Sequence, residues 1–276
     1  MSVFAADLLA GKVALITGGG TGLGLAMARN FGAVGATLVI ASRSNEHVEA
    51  GAVTLRGEGV ETLPLVCDVR DPDGVEQMVA AAVEHYGRID VLVNNAAGNF
   101  VVRAEDLSVG GWKAVTRIVL DGSWFCSQAV YAPMKKQGGG NILNILATYA
   151  TGAGPLTVHS AAAKAGVLAL TRTLAVEWAQ VGIRVNAIAP GPVDTQGAGS
   201  RLWDSDEARA SIANKLPMGR FGTEREVAEV ATFLVSDAAS YVTGTMLPVD
   251  GGLTLGTGHL ASVDAVHHLL RPKNER

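Results

Sequence analysis

Residues 13–24 read VALITGGGTGLG, an unbroken apolar run that passes directly into a glycine-rich turn. A run with no polar alternation is what a strand covered on both faces requires. The turn then opens a helix-length segment, GLAMARNFGAVG, over residues 24–35. Gly18 and Gly22 let the backbone turn and approach a pyrophosphate, and Gly24 lets the helix pack closely on the strand. Amides at the helix start then face the phosphates. A glycine pattern alone is weak, but its position between a first strand and a first helix makes it strong. Thr17, Thr21 and Leu23 complete the candidate cofactor contacts of this stretch.

Outward from this turn, further aliphatic runs recur at 37–41, 62–67, 90–95, 141–146, 183–189 and 245–249, separated by helix-length segments such as DPDGVEQMVAAAVEHYG. The alternation predicts an α/β fold: a doubly wound, Rossmann-type sheet of about seven parallel strands with helices on both faces. No repeat or linker interrupts the chain, so residues 1–276 read as one dinucleotide-binding domain with 253–276 as a C-terminal extension.

Bulk properties narrow the function classes. With 276 residues, 48% of them hydrophobic, the chain can bury a large core. The 34 glycines are scattered among apolar runs and read as tight turns. A net charge of −4, with acids and bases interspersed, gives no footprint for nucleic acid. No apolar stretch is long enough to span a membrane, and the N-terminal residues lack the pattern of a secretory signal. Only Cys67 and Cys126 occur, which fits a reducing cytoplasm and offers no metal site. Helix 158–178 has only Lys164, Arg172 and Glu177 as charges. An apolar helix of this kind is buried nearly all round, one face on the sheet and another against a partner subunit. A homo-oligomer is expected.

The residue after strand two decides between NAD and NADP, because an acid there accepts from the ribose 2′-OH and a base pairs with a 2′-phosphate. Here the stretch is ASRSNE (41–46), with Ser42 and Arg43 and no acid at the strand end. The planar, charged fork of Arg43 suits phosphate, so NADPH is the expected cofactor. Asp68, with Val69 beside it, is placed after strand three to contact the adenine amine. Asn94 and Asn95 with Ala96 and Gly98 form a small-residue turn beside the cofactor.

TGGGTGLG, CDV, NNAAG, Lys164 in its helix and PGPV (190–193) together resemble the short-chain dehydrogenase/reductase family over roughly residues 10–252. The resemblance implies a seven-stranded parallel sheet, a nicotinamide cofactor touched also by Lys164, Pro190, Gly191 and Val193, and commonly a homotetramer. Family members that reduce ketones use Asn, Ser, Tyr and Lys. At those places this sequence has Val119, Ala147, Ser160 and Lys164. A serine hydroxyl cannot deliver a proton as a lysine-assisted tyrosine can, so ordinary alcohol dehydrogenation is not expected.

Two residues can replace the lost groups. Tyr149 lies two places beyond Ala147, and with strand five continued that far its phenol projects to the same face. Asn99 follows strand four at the ligand-binding edge of the sheet. Ser160 and Lys164 share a helix face. Residue by residue, Asn99, Tyr149, Ser160 and Lys164 resemble the 2,4-dienoyl-CoA reductases, and PGPVDTQGAGSRLW (190–203) is similar to their substrate loop. That resemblance implies NADPH-dependent reduction of a conjugated dienoyl-CoA thioester in unsaturated fatty-acid oxidation. Tyr149 and Asn99 would donate hydrogen bonds to the thioester oxygen, Lys164 would hold the nicotinamide ribose, and Ser160 would assist. PLTVHSAAAKAGV also resembles the trans-2-enoyl-CoA reductases of the family, which lack the tyrosine. A carbonyl reductase with a relocated tyrosine, or a non-catalytic NADP-binding regulatory protein, are the remaining readings. Tyr149 as a buried loop tyrosine, Asn99 as a turn stabiliser and Ser160 as a plain helix-start residue are the bland counterparts. His159 reads as space-filling or solvent-facing, and Arg201 as a solvated loop residue within reach of CoA phosphates.

Overall fold

The structure, a computed structural model, describes residues 3–195 and 206–255. Arg201, residues 196–203 of the expected substrate loop and 256–276 of the C-terminal extension lie outside the described residues.

Each apolar run becomes a strand: β1 (Val13–Thr17), β2 (Thr37–Ser42), β3 (Thr62–Val66), β4 (Val91–Asn94), β5 (Gly140–Ile145), β6 (Ile183–Pro190) and β7 (Met246–Val249). They form one parallel sheet in the order β3-β2-β1-β4-β5-β6-β7. Alternate residues feed opposite faces. Ala14 and Ile16 pack with Met27 and Phe31 of α1 (Gly22–Ala33), Leu55 of α2 (Asn45–Gly57) and Leu234 of a later helix. Val13 and Leu15 pack with Met78 of α3 (Pro72–Tyr86), and further along that face lie α5 (Gly122–Lys136) and α6 (Val158–Trp178). Covering both faces is why the strands carry no polar alternation.

The helix α4 (Val109–Thr116) runs into a π-helical turn, Arg117–Asp121, before α5. Two later helices, α7 (Asp206–Ala213) and α8 (Glu224–Val235), follow β6, and α8 begins with a complete capping box between Thr223 and Glu226. Strand order reverses between β1 and β4, so the crevice at their carboxyl ends is where a dinucleotide binds in such sheets.

Two expectations are corrected here. β5 stops at Ile145, and Tyr149 sits beyond it on a 3₁₀ turn, Thr148–Ala150, rather than on a continued strand. Leu146 still pairs with β6 through its amide, and Ala147, itself extended, accepts from the Ala150 amide to open the turn. α6 divides as its composition allows: His159, Ser160, Ala163, Lys164 and Val167 face inward, while Val158, Ala162, Ala165, Ala169 and Val176 are left uncovered by the chain itself. Asn94 also moves, from the turn beside the cofactor into the interior.

That interior holds a polar chain which fixes the register of the site-bearing elements. Asn94 Nδ2 donates to Asn144 Oδ1 at 2.8 Å and to Ser127 Oγ at 3.0 Å. Asn144 Nδ2 donates to Thr171 Oγ1 at 2.8 Å, linking β4, β5, α5 and α6. Removing one member strands buried partners, which costs about 1–3 kcal/mol. Asn144→Ala should lower the unfolding free energy by that amount, read as a lower urea midpoint at an unchanged denaturant slope; an unaltered midpoint would show that the chain of amides contributes nothing.

Candidate active site

The glycine turn forms a cradle. Gly18 and Gly22 have φ of 64° and 50°, in the left-handed region that side chains disfavour. A Cβ on Gly24 would lie 2.1 Å from the Gly18 carbonyl oxygen, so helix and turn can touch only through glycine. A Cβ on Gly22, by contrast, would meet only Glu224 Oε1, at 3.9 Å, leaving room beside the helix start. Thr21 precedes α1 without spending its hydroxyl on a cap, whereas Ser44 and Ser108 do cap α2 and α4. The first amides of α1 therefore face open space, the arrangement that receives a phosphate. These residues fit a dinucleotide.

Thr17, Asn95 and Ala96 serve the cradle from behind. Thr17 Oγ1 accepts from the amides of Asn95 and Ala96, both at 3.0 Å, and donates to the Val93 carbonyl. Asn95 Nδ2 donates to the Thr17 and Gly18 carbonyls at 3.0 and 3.3 Å. The side chains expected to touch the cofactor thus clamp the glycine turn to the end of β4. Leu23 packs partly into the core, and Val69 is buried, its side chain against Gly122 of α5.

At the end of β2, Ser42 Oγ accepts from the Ser44 amide, and exposed Arg43 makes no hydrogen bond or ion pair among the described residues. Asp68 is engaged by Arg70, whose Nε lies 2.9 Å from both carboxylate oxygens. That hydrogen-bonded guanidinium holds the Asp68 carboxyl below its usual range, with Arg43 adding to the effect. Pro190 ends β6, Gly191 donates to the Val249 carbonyl, and Val193 enters a two-residue pairing with Gly222.

The reacting end gathers Tyr149, Ser160 and Lys164. The Tyr149 hydroxyl and Ser160 Oγ are 3.0 Å apart and hydrogen-bonded, so the 3₁₀ turn delivers the phenol to the first turn of α6. One turn on, Lys164 is buried and its ammonium donates to the Ile145 carbonyl at the end of β5. Burial alone pushes its pKa down to about 8. Asn99 lies on the exposed loop after β4, where its Oδ1 accepts from the Phe100 amide at 2.9 Å, leaving Nδ2 as the outward donor. The loops are tied together: the Val102 amide donates to the carbonyl of Leu156, which has a left-handed φ of 62°. His159 is not solvent-facing but fully buried, stacked on Phe100 with ring centroids 4.3 Å apart.

A family model described as enoyl-(acyl carrier protein) reductase matches residues 18–254. This chain is a short-chain dehydrogenase/reductase. It is 47% identical over 245 residues to a Bacillus subtilis protein named probable 2,4-dienoyl-CoA reductase, (2E)-enoyl-CoA-producing, covering 87% of this chain and 96% of that one. A Danio rerio protein named peroxisomal 2,4-dienoyl-CoA reductase, (3E)-enoyl-CoA-producing, is 41% identical, with 92% and 85% covered. Among solved structures, a short chain dehydrogenase from Bacillus anthracis is 46% identical with a TM-score of 0.79, covering 88% of this chain and 96% of that one.

Within this short-chain reductase, the two lost polar positions are now apolar or bare. Val119 lies in the π-helical turn and packs with Val115, Leu146, Ala163 and Val167. Ala147 starts the 3₁₀ turn that swings Tyr149 into place. The sequence missed the Phe100–His159 stack. Its only signal was an aromatic after Asn99 and a histidine before Ser160, 59 residues apart in the chain and so without local pattern.

Lys164 gives a pH test. Because its folded pKa is depressed, the unfolded chain binds a proton between about pH 8 and pH 10.5 that the folded chain does not. Stability rises with pH across that window and the buried charge opposes folding below it. Relative to Lys164→Met, the cofactor-free wild type should gain about 3 kcal/mol from pH 8 to 10.5. Parallel stability curves for the two proteins would contradict a buried, depressed lysine.

Proposed function

We propose that this enzyme reduces 2,4-dienoyl-CoA thioesters with NADPH. The observation that carries the reading is the Tyr149–Ser160 hydrogen bond, which brings the relocated phenol to the helix turn above Lys164. The names of the two relatives above support the same substrate class.

The chemistry follows from the donors. When bound, the nicotinamide supplies a hydride to the far end of the conjugated diene. Negative charge then collects on the thioester oxygen, which needs hydrogen-bond donors rather than a strong acid. Among the described residues, Tyr149 Oη and Asn99 Nδ2 are the groups we assign to donate there. The resulting dienolate takes its proton on carbon from Tyr149 or from a water that Tyr149 holds. Lys164 would hold the nicotinamide ribose and add positive charge to the same side, with Ser160 orienting the phenol. The unpaired guanidinium of Arg43 supports a 2′-phosphate on the cofactor, and Thr21 with the open amides of α1 supports the pyrophosphate.

The exposed Ala- and Val-rich side of α6, together with an exposed Trp124 on α5, supports burial against a second copy and a homotetramer overall. Cys67 and Cys126 are both free and buried, in keeping with a reducing cytoplasm. Among the described residues no helix is long and apolar enough to cross a membrane. The family model's description keeps a trans-2-enoyl thioester as the second substrate to test.

A panel of 2,4-dienoyl-CoA, trans-2-enoyl-CoA and free ketones, followed by NADPH absorbance, tests the assignment. Turnover should be confined to the dienoyl thioester, and Tyr149→Phe and Asn99→Ala should each lower it by about 10²–10³-fold, the loss typical of one oxyanion donor. Oxidation of NADPH with enoyl-CoA or ketone alone would overturn it. In a separate measurement, Arg43→Ala should weaken NADPH binding about ten- to a hundred-fold, the value of a charge-assisted contact, and leave NADH unaffected. Equal losses for both cofactors would remove Arg43 from phosphate recognition.

A further inference from the structure

We infer that His159 is a positioning residue for this reaction, setting through the ring of Phe100 the place of the Asn99 amide opposite Tyr149. The inference rests on the dienoyl-CoA reading above and adds a role outside the four residues of that site.

His159 has no exposed surface, and neither Nδ1 nor Nε2 has a hydrogen-bond partner among the described residues. Buried polar atoms are nearly always paired. A ring that uses neither nitrogen is held for its shape and its face. That face meets Phe100, with centroids 4.3 Å apart and planes 29° from parallel, a geometry in which aromatic rings attract beyond simple burial. The far edge of Phe100 abuts α4, where a Cβ on Gly111 would lie 2.9 Å from Phe100 Cζ. Phe100 is therefore a wedge between the first turns of α4 and α6.

The wedge acts on the site through one bond at each end. The Phe100 amide donates to Asn99 Oδ1 at 2.9 Å, so the seat of Phe100 determines which way Asn99 Nδ2 points. At the other end His159 precedes Ser160, the partner of the Tyr149 hydroxyl. Asn99 is on an exposed loop and Tyr149 on a short turn, neither anchored to the other by a hydrogen bond among the described residues. The stack connects the loop that carries one donor to the helix that orients the other. Preorganised donors must hold their separation as charge develops between them, and misplacement by about 1 Å costs about 10²-fold.

Steady-state kinetics on the full chain with NADPH and a short 2,4-dienoyl-CoA test this. His159→Ala and Gly111→Ala both unseat Phe100, one by removing its support and one by crowding its edge. Each should lower kcat about 10–10²-fold in the folded protein, with NADPH affinity close to wild type. His159→Ala should also lower the melting temperature, as emptying a buried ring does. His159→Phe keeps a flat ring without nitrogens and should recover kcat to within about threefold of wild type, within the spread expected of a tolerated ring-for-ring change. Wild-type kcat in His159→Ala, or an active His159→Asn beside an inactive, folded His159→Phe, overturns the inference, the second result by showing that the nitrogens matter. If His159→Ala fails to fold, Gly111→Ala and His159→Phe decide alone. A wild-type chain that leaves the dienoyl thioester unreduced overturns instead the reaction on which the inference rests.

Discussion

The 3.0 Å hydrogen bond between the Tyr149 hydroxyl and Ser160 Oγ is the contact on which the rest of the site depends. It joins two segments that follow different rules. Ser160 is carried by α6, whose inner face is anchored by Ala163, Val167 and Leu168 in a cluster shared with β6. Tyr149 is carried by a turn of three residues with little regular structure of its own. A phenol on such a turn has a defined place only if something rigid receives it. The helical serine does so, and the buried lysine one turn further on keeps the end of β5 in contact with the same helix.

Much of the framework was legible because its signals are local. The seven apolar runs became the seven strands with shifts of one residue at their ends, since burial on both faces leaves an unbroken hydrophobic pattern. The glycine turn was equally legible, because φ near +60° and a 2.1 Å approach admit no other residue. What failed was the extension of strand rules past Ile145: the two-residue period of side chains ends when the ladder ends, and the tyrosine reaches the cleft by a turn instead. For α6 the sequence told that one face lies on the sheet but not which residues make up the other. Alanine is apolar enough to be buried and small enough to be tolerated in water, so an Ala-rich face does not declare which it is. Asn94 and His159 escaped because their partners lie 50 and 59 residues away, beyond any local pattern.

The polar residues behind the site divide into clamps and open groups. Thr17, Asn94, Asn95 and Asn144 spend their donors on the protein, which fixes the glycine turn and the ends of β4 and β5 as one body. Thr21, Arg43 and the amide nitrogen of Asn99 face outward. The division explains why residues adjacent in sequence, Asn94 and Asn95 above all, do different work: successive side chains at a strand end point to opposite sides of the sheet.

The direction of the Tyr149–Ser160 hydrogen bond matters more than its length. Either hydroxyl can be the donor. If Tyr149 donates to Ser160, its only proton is spent inside the protein and cannot reach a substrate oxygen. If Ser160 donates to Tyr149, the phenolic proton is released toward the cleft and the phenol becomes a better donor, because hydrogen bonds in series polarise one another. Charge developing on a thioester oxygen favours the second arrangement, and the buried ammonium of Lys164 makes negative charge on that side less costly. In the proposed reaction a serine at position 160 is therefore more than the remnant of a lost acid: it would turn the relocated tyrosine toward the substrate, and that chemistry needs both hydroxyls in this order.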